Sequence, residues 1–172
     1  MEKSFLRYLK VLPLILALSY SFWCREKTDK ELILELMQEL GKMAEKKDVK
    51  GMIRNLSLDY RDFEGRDIEA TEEMLKDYFT RFRGIVINFL GMRVDEIGPS
   101  HASLRTEIAV SSGQAKVLRK LIKYSLDNYR IEIKLIKAEK KWLLHRAQWE
   151  YVGYEELFPE SLEILKMIFP EF

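Results

Sequence analysis

The sequence predicts an α+β domain of cone-like fold: about three N-terminal helices packed on a strongly curved antiparallel sheet, closed by a short C-terminal helix. Two observations carry this. Between Thr28 and Phe82 apolar residues recur three and four apart, the period of a helix. From Ile85 to Val152 the period drops to two, the signature of strands. Helices first and long neighbouring strands afterwards is the order of an α+β domain, not of alternating βαβ units.

Each element has a local reason. Thr28 and Glu31 have the spacing of a capping box, in which hydroxyl and carboxylate satisfy each other's free amides. The helix they open carries Leu32, Leu36, Leu40 and Met43 on one stripe, widened by Ile33 and Met37, and runs to about Lys46. Asp48 caps a short second helix with Val49, Met52, Ile53 and Leu56 inward. A brief extended piece from Leu58 to Phe63 leads to a turn at Glu64 and Gly65. Asp67 caps a third helix whose buried face is Ile68, Leu75, Tyr78, Phe79 and Phe82, and Gly84 ends it. Strands are expected at about Ile85–Ile97, His101–Val110, Asp127–Ala138 and Trp142–Val152. Gly98 with Pro99, and Glu139 to Lys141, supply the turns. Strict alternation in the last strand puts Leu143, His145, Ala147, Trp149 and Tyr151 on one face. Trp142, Leu144, Arg146, Gln148 and Glu150 fall on the other. Past Pro159, Leu162, Ile164, Leu165, Ile168 and Phe169 form a short helix that docks on the domain or, if exposed, binds a partner.

The chain of 172 residues is 47% hydrophobic and 33% charged, which places it with neither disordered nor membrane-embedded proteins. Its net charge of +1 comes from the first residues, where Lys3, Arg7 and Lys10 outnumber Glu2. A near-neutral domain does not point to nucleic acid as a partner.

The N-terminus reads as an address. A basic start, an apolar run from Val11 to Leu18 and small residues behind it make a secretory leader over residues 1–24. Three treatments of it are open. Cys24, the only cysteine, stands where a lipoprotein carries its acyl chains, although Trp23 before it is bulky for a lipobox. Ala17 and Ser19 fit ordinary signal cleavage, and the segment could also stay uncleaved as an anchor. Each puts the domain, residues 25–152, and its helical tail, 153–172, outside the cytoplasm, in the periplasm, on a membrane or secreted. A second basic stretch within 113–125 alternates Lys116, Arg119, Lys120 and Lys123 with Val117, Leu118, Leu121 and Ile122. It is either a short membrane-binding helix or a hairpin extension with solvated lysines.

The stretch from Asp48 to Leu56, the run Asp59, Tyr60, Arg61, Asp62 with Gly65, the helix from Thr71 to Phe79 and the ending from Lys141 to Trp149 resemble the nuclear transport factor two-like superfamily. That superfamily also holds ketosteroid isomerases, scytalone dehydratases and polyketide cyclases, and the chain looks like its exported bacterial members. The resemblance implies a cone with a cavity at its wide end, and dimerisation through the outer sheet face.

Its enzymes place acid–base groups inside the cone. Here no aspartate stands between apolar neighbours on an inward strand position, since Asp95 and Asp127 lie at strand ends. His145 is the one histidine candidate for catalysis, and His101 reads as a solvated turn residue. Two histidines with no paired-carboxylate motif give no ligand set for a metal, and no cofactor is implied. Asp59 and Asp62 either line the cavity mouth or bond turn amides and pair with Arg61 or Arg66. Tyr78, Phe79, Phe82, Trp142 and Trp149 form an aromatic pocket or plain core.

These readings converge on an exported, envelope-tethered domain. It binds a small apolar or amphipathic ligand, oriented by Tyr60, Tyr78, His145 or Trp149, or scaffolds a partner, without catalysis. The alternatives are an isomerase or dehydratase using His145 as base, and a dimeric interaction module with a filled cone.

Overall fold

The three expected caps form and fix the helical half of the molecule. In the computed structural model, which describes residues 26–82, 84–112 and 126–170, Thr28 Oγ1 accepts from the Glu31 amide while the Glu31 carboxylate accepts from the Thr28 amide. The helix they start, α1 (Asp29–Glu45), is followed by α2 (Val49–Ile53), capped by Asp48, and α3 (Ile68–Arg81), capped by Asp67. The leader with Cys24 and the basic stretch 113–125 lie outside the described residues.

The buried face of α1 is Ile33, Leu36, Met37, Leu40, Gly41 and Ala44. It is rotated slightly from the expected stripe, so Leu32 and Met43 sit at its margins. Gly41 permits the close approach of α1 to the sheet, since a Cβ there would meet the Phe89 ring at 2.7 Å. Lys47, in the left-handed region at φ 57°, sends its ammonium to the carbonyls of Phe79 (2.8 Å) and Phe82. That cation stabilises the negative end of α3 and ties it to α1.

Five strands follow the order β1-β5-β4-β3-β2: β1 (Leu56–Asp62), β2 (Ile85–Ile97), β3 (His101–Ser112), β4 (Leu126–Ala138) and β5 (Lys141–Tyr151). The four long strands pair antiparallel as expected. The sheet as a whole is mixed, because the brief extended piece is a true strand that joins the edge parallel to β5.

Bulges curve the sheet. In β2, register shifts between Phe89 and Gly91 turn the inward set from Ile85, Ile87 and Phe89 to Met92 and Val94. Leu90 thereby faces outward, where it is fully buried under the C-terminal helix α4 (Pro159–Ile168) with Ala109, Leu157, Leu165 and Phe169. The tail therefore docks, as its apolar spacing allows. Glu107, fully buried on the same outer face, receives Arg130 at 2.7 and 2.9 Å and the Phe158 amide at 2.9 Å. Arg130 also lies over the Phe158 ring, so one buried ion pair latches the tail to the sheet. At the opposite end Asp29 accepts from both Lys137 (2.6 Å) and the Trp142 indole (3.0 Å), fastening the start of α1 to the β4–β5 hairpin. Among the described residues no helix is long and apolar enough to cross a membrane.

Candidate functional site

Between α1, α2, α3 and the inner face of the sheet lies a cavity of about 360 Å³. Its walls are apolar and come from every layer: Met37 and Leu40 on α1, Leu75 and Phe79 on α3, Phe89 and Ile131 on the strands. Five lining side chains carry a polar atom: Tyr60, Thr71, Tyr78, Tyr129 and Trp149. The described lining contains no Asp, Glu, His, Lys or Arg.

Tyr60 and Thr71 are the deep pair. Tyr60 is 3% exposed on β1, after the register shift that leaves Leu58 and Asp59 both exposed, and Thr71 is 5% exposed on the first turn of α3. The Thr71 hydroxyl is buried without a hydrogen bond of normal geometry, although it sits close enough to Tyr60 to lower that phenol's pKa a little. Burial, with the Asp62 carboxylate second, outweighs it and pushes Tyr60 up to about 12. Burial first and the Asp127 carboxylate second raise Tyr78 and Tyr129 as well. All three phenols stay protonated at neutral pH, and each can donate a hydrogen bond into an otherwise apolar space.

The sequence-predicted residues divide. Tyr60, Tyr78 and Trp149 line the cavity together; His145 does not. The reason is a bulge in β5: Lys134 pairs with Arg146 but Leu135 with Leu144, so His145 is the extra residue. Strict alternation fails there. Trp142 and Leu144 point inward on one side of the bulge, Ala147 and Trp149 on the other. His145 instead turns to the edge strand, where its Nδ1 lies 3.2 Å from Oγ of the buried Ser57. This corrects the expectation that His145 shares a face with Trp149 and helps orient a ligand beside it.

Asp62 takes the turn role: it accepts from the amides of Glu64 and Arg66 and from the Arg66 guanidinium at 2.6 Å, while Asp59 is exposed. Trp142 belongs to the core, and Phe79 is both core and cavity wall. His101 is exposed beside Ser100. Among the described residues no cluster of three His, Cys, Asp or Glu could hold a metal ion.

Sequence reasoning passed over Thr71 and Tyr129. Both carried a signal. Thr71 falls three after Ile68 and four before Leu75 on the inward stripe of α3, and Tyr129 opens the inward series Ile131, Ile133, Leu135 of β4.

No family model matches the chain, and neither does any curated protein. Solved structures do. A Novosphingobium aromaticivorans protein provisionally named a scytalone dehydratase superposes with a TM-score of 0.61 at 13% identity, over 73% of this chain and 85% of that one. An NTF-2-like protein of unknown function from Pseudomonas aeruginosa gives 0.58 at 12% identity, over 71% and 99%. The chain has the nuclear transport factor two-like fold. A Nostoc punctiforme protein of unknown function with a cystatin-like fold is similar at a TM-score of 0.60 and 18% identity, over 75% and 96%. Likeness at these identities concerns the fold, and within the nuclear transport factor two-like fold the activity belongs to the site.

Proposed function

We propose that this protein binds a small apolar or amphipathic molecule inside the cone without transforming it. One observation carries the reading: an apolar cavity of about 360 Å³ lined by a protonated Tyr60 and, beside it, by Thr71. A binding site of this kind is mostly apolar, with a few fixed polar atoms that orient the ligand. A ligand with one hydroxyl or carbonyl group would occupy Tyr60 and Thr71 and bury its carbon body against Leu40, Leu75, Phe89 and Trp149. General acid–base catalysis needs a titratable group within hydrogen-bond reach of the substrate. The described lining offers only tyrosines, which their raised pKa values keep protonated at neutral pH and so unable to act as a base there, and His145 stands outside it.

Native mass spectrometry of the protein purified from its source cells, set against its denatured mass, tests the reading. A retained small-molecule adduct that is lost in Tyr60→Phe supports it. A bare mass, together with no uptake of neutral apolar compounds, refutes it.

The reading includes an address: the domain works outside the cytoplasm, held to the envelope through Cys24. Membrane fractionation of Cys24→Ser tests this, and an unchanged distribution with unchanged mass would remove the tether.

A further inference from the structure

The outer face of the sheet carries a second feature, unrelated to the cone. Where α4 leaves the strands uncovered, a groove of about 600 Å³ crosses them. Along it Arg61 of β1 stands in register with Arg146 of β5, and Arg146 with Lys134 of β4. All three are exposed, and all three line the groove. With strands about 4.8 Å apart, the row spans roughly 10 Å. Like charges directly opposite each other on neighbouring strands destabilise a sheet, so three in a row without relief call for an explanation.

None of the nearby carboxylates forms an ion pair with the row. Asp62 is committed to Arg66 and to turn amides. Asp95 is held by Arg105 through two bonds of 2.8 Å. Glu132 stands in register with Arg105 and accepts from Gln148 at 2.5 Å. Arg61 donates to its neighbour's carbonyl, that of Tyr60, at 2.7 Å. Among the described residues no carboxylate lies within ion-pair distance of Arg61, Lys134 or Arg146. At the end of the row the Phe63 ring lines the same groove, half-exposed and set edge-on against Trp149 with centroids 4.8 Å apart.

We propose that this groove binds a small soluble phosphate monoester, the phosphate on Arg61, Arg146 and Lys134 and the organic body along Phe63. A phosphate monoester carries close to two negative charges and three strong acceptor oxygens at neutral pH, which matches three cations. A single carboxylate would leave most of that charge unanswered. Two arginines supply the planar forks that take phosphate oxygens in pairs, and the lysine adds a point charge.

The test is calorimetric titration of the purified protein with inorganic phosphate and with phenyl phosphate, at constant low ionic strength because exposed charges are screened by salt. Both probes should saturate, phenyl phosphate more tightly. Arg146→Gln, or Lys134→Gln should that variant fold poorly, should weaken both about tenfold or more, the size of a lost charged hydrogen bond. Phe63→Ala should bring phenyl phosphate down to the level of inorganic phosphate and leave the latter unchanged. Absence of a saturable signal from either probe overturns the proposal. So does an equal loss in Lys166→Gln, a cation on α4 outside the groove, which would mean unspecific attraction.

Discussion

Replacing Tyr60 by phenylalanine should remove a defined part of the protein's alkaline instability. An unfolded tyrosine releases its proton near pH 10, whereas Tyr60 in the folded chain holds it to about 12 because burial, and after it Asp62, disfavours the phenolate. Between these values the folded state binds more protons than the unfolded state, so stability falls as pH rises. The contribution is complete below pH 10 and gone once pH passes 12. Two pH units correspond to about 3 kcal/mol. Tyr60 is 3% exposed, so solvent screening takes little from that figure. Urea unfolding at steps from pH 8 to pH 12, for both proteins, gives the difference directly. Tyr78, Tyr129 and Tyr154 are also raised, mainly by burial, and act in the same direction, so the wild-type-minus-variant difference is the quantity to read. At pH 8 the two should lie within about 1 kcal/mol, the net worth of a hydroxyl's hydrogen bonding. Parallel curves up to pH 12 would refute the claim that the phenol is buried and protonated in the cone.

Other substitutions probe the latch, the close approach and the bulge. Glu107→Gln leaves Arg130 facing a neutral amide with Glu150 as its remaining carboxylate partner and should cost about 2 kcal/mol, the size of a lost charged hydrogen bond; hydrogen exchange should show α4 opening before the rest. Gly41→Ala gains helix propensity of about 1 kcal/mol but drives a methyl group into the Phe89 ring. Overpacking of about 1–3 kcal/mol should leave a net loss of about 1 kcal/mol in urea unfolding. With Phe89 displaced toward the cavity, affinity for apolar probes should fall too. His145→Ala should leave probe binding unchanged, because the imidazole contacts Ser57 and not the cavity; a fall of tenfold or more in a binding titration would contradict that placement.

Much of the fold was legible because its signals are local. Thr28, Asp48 and Asp67 are caps whose partners lie three residues on, and the period change at Ile85 marks the start of β2 to the residue. What was not legible depends on pairing. The short piece before Asp62 has no pattern that identifies it as a parallel edge strand, since that status comes from β5, far away in sequence. The β5 bulge is a register mismatch with β4, invisible in β5 alone, and one extra residue moved His145 off the inner face. Of the expected ligand-facing residues, Tyr60, Tyr78 and Trp149 were recoverable from alternation and helical spacing. Thr71 was missed because a polar residue on an apolar helical stripe reads as a defect in the stripe before it reads as a site.

Titration with N-phenyl-1-naphthylamine, a neutral apolar fluorophore, of the wild-type protein and of Ala147→Phe tests the central claim most directly. Ala147 lines the cavity on the sheet side and also borders the outer groove, so a phenyl ring there fills ligand space, and the neutral probe reads the cavity alone. The account predicts one saturable site in the wild type, and in Ala147→Phe a loss of at least tenfold with the fold intact by circular dichroism. Equal binding by the two proteins, or none by the wild type, would contradict a ligand-binding cone.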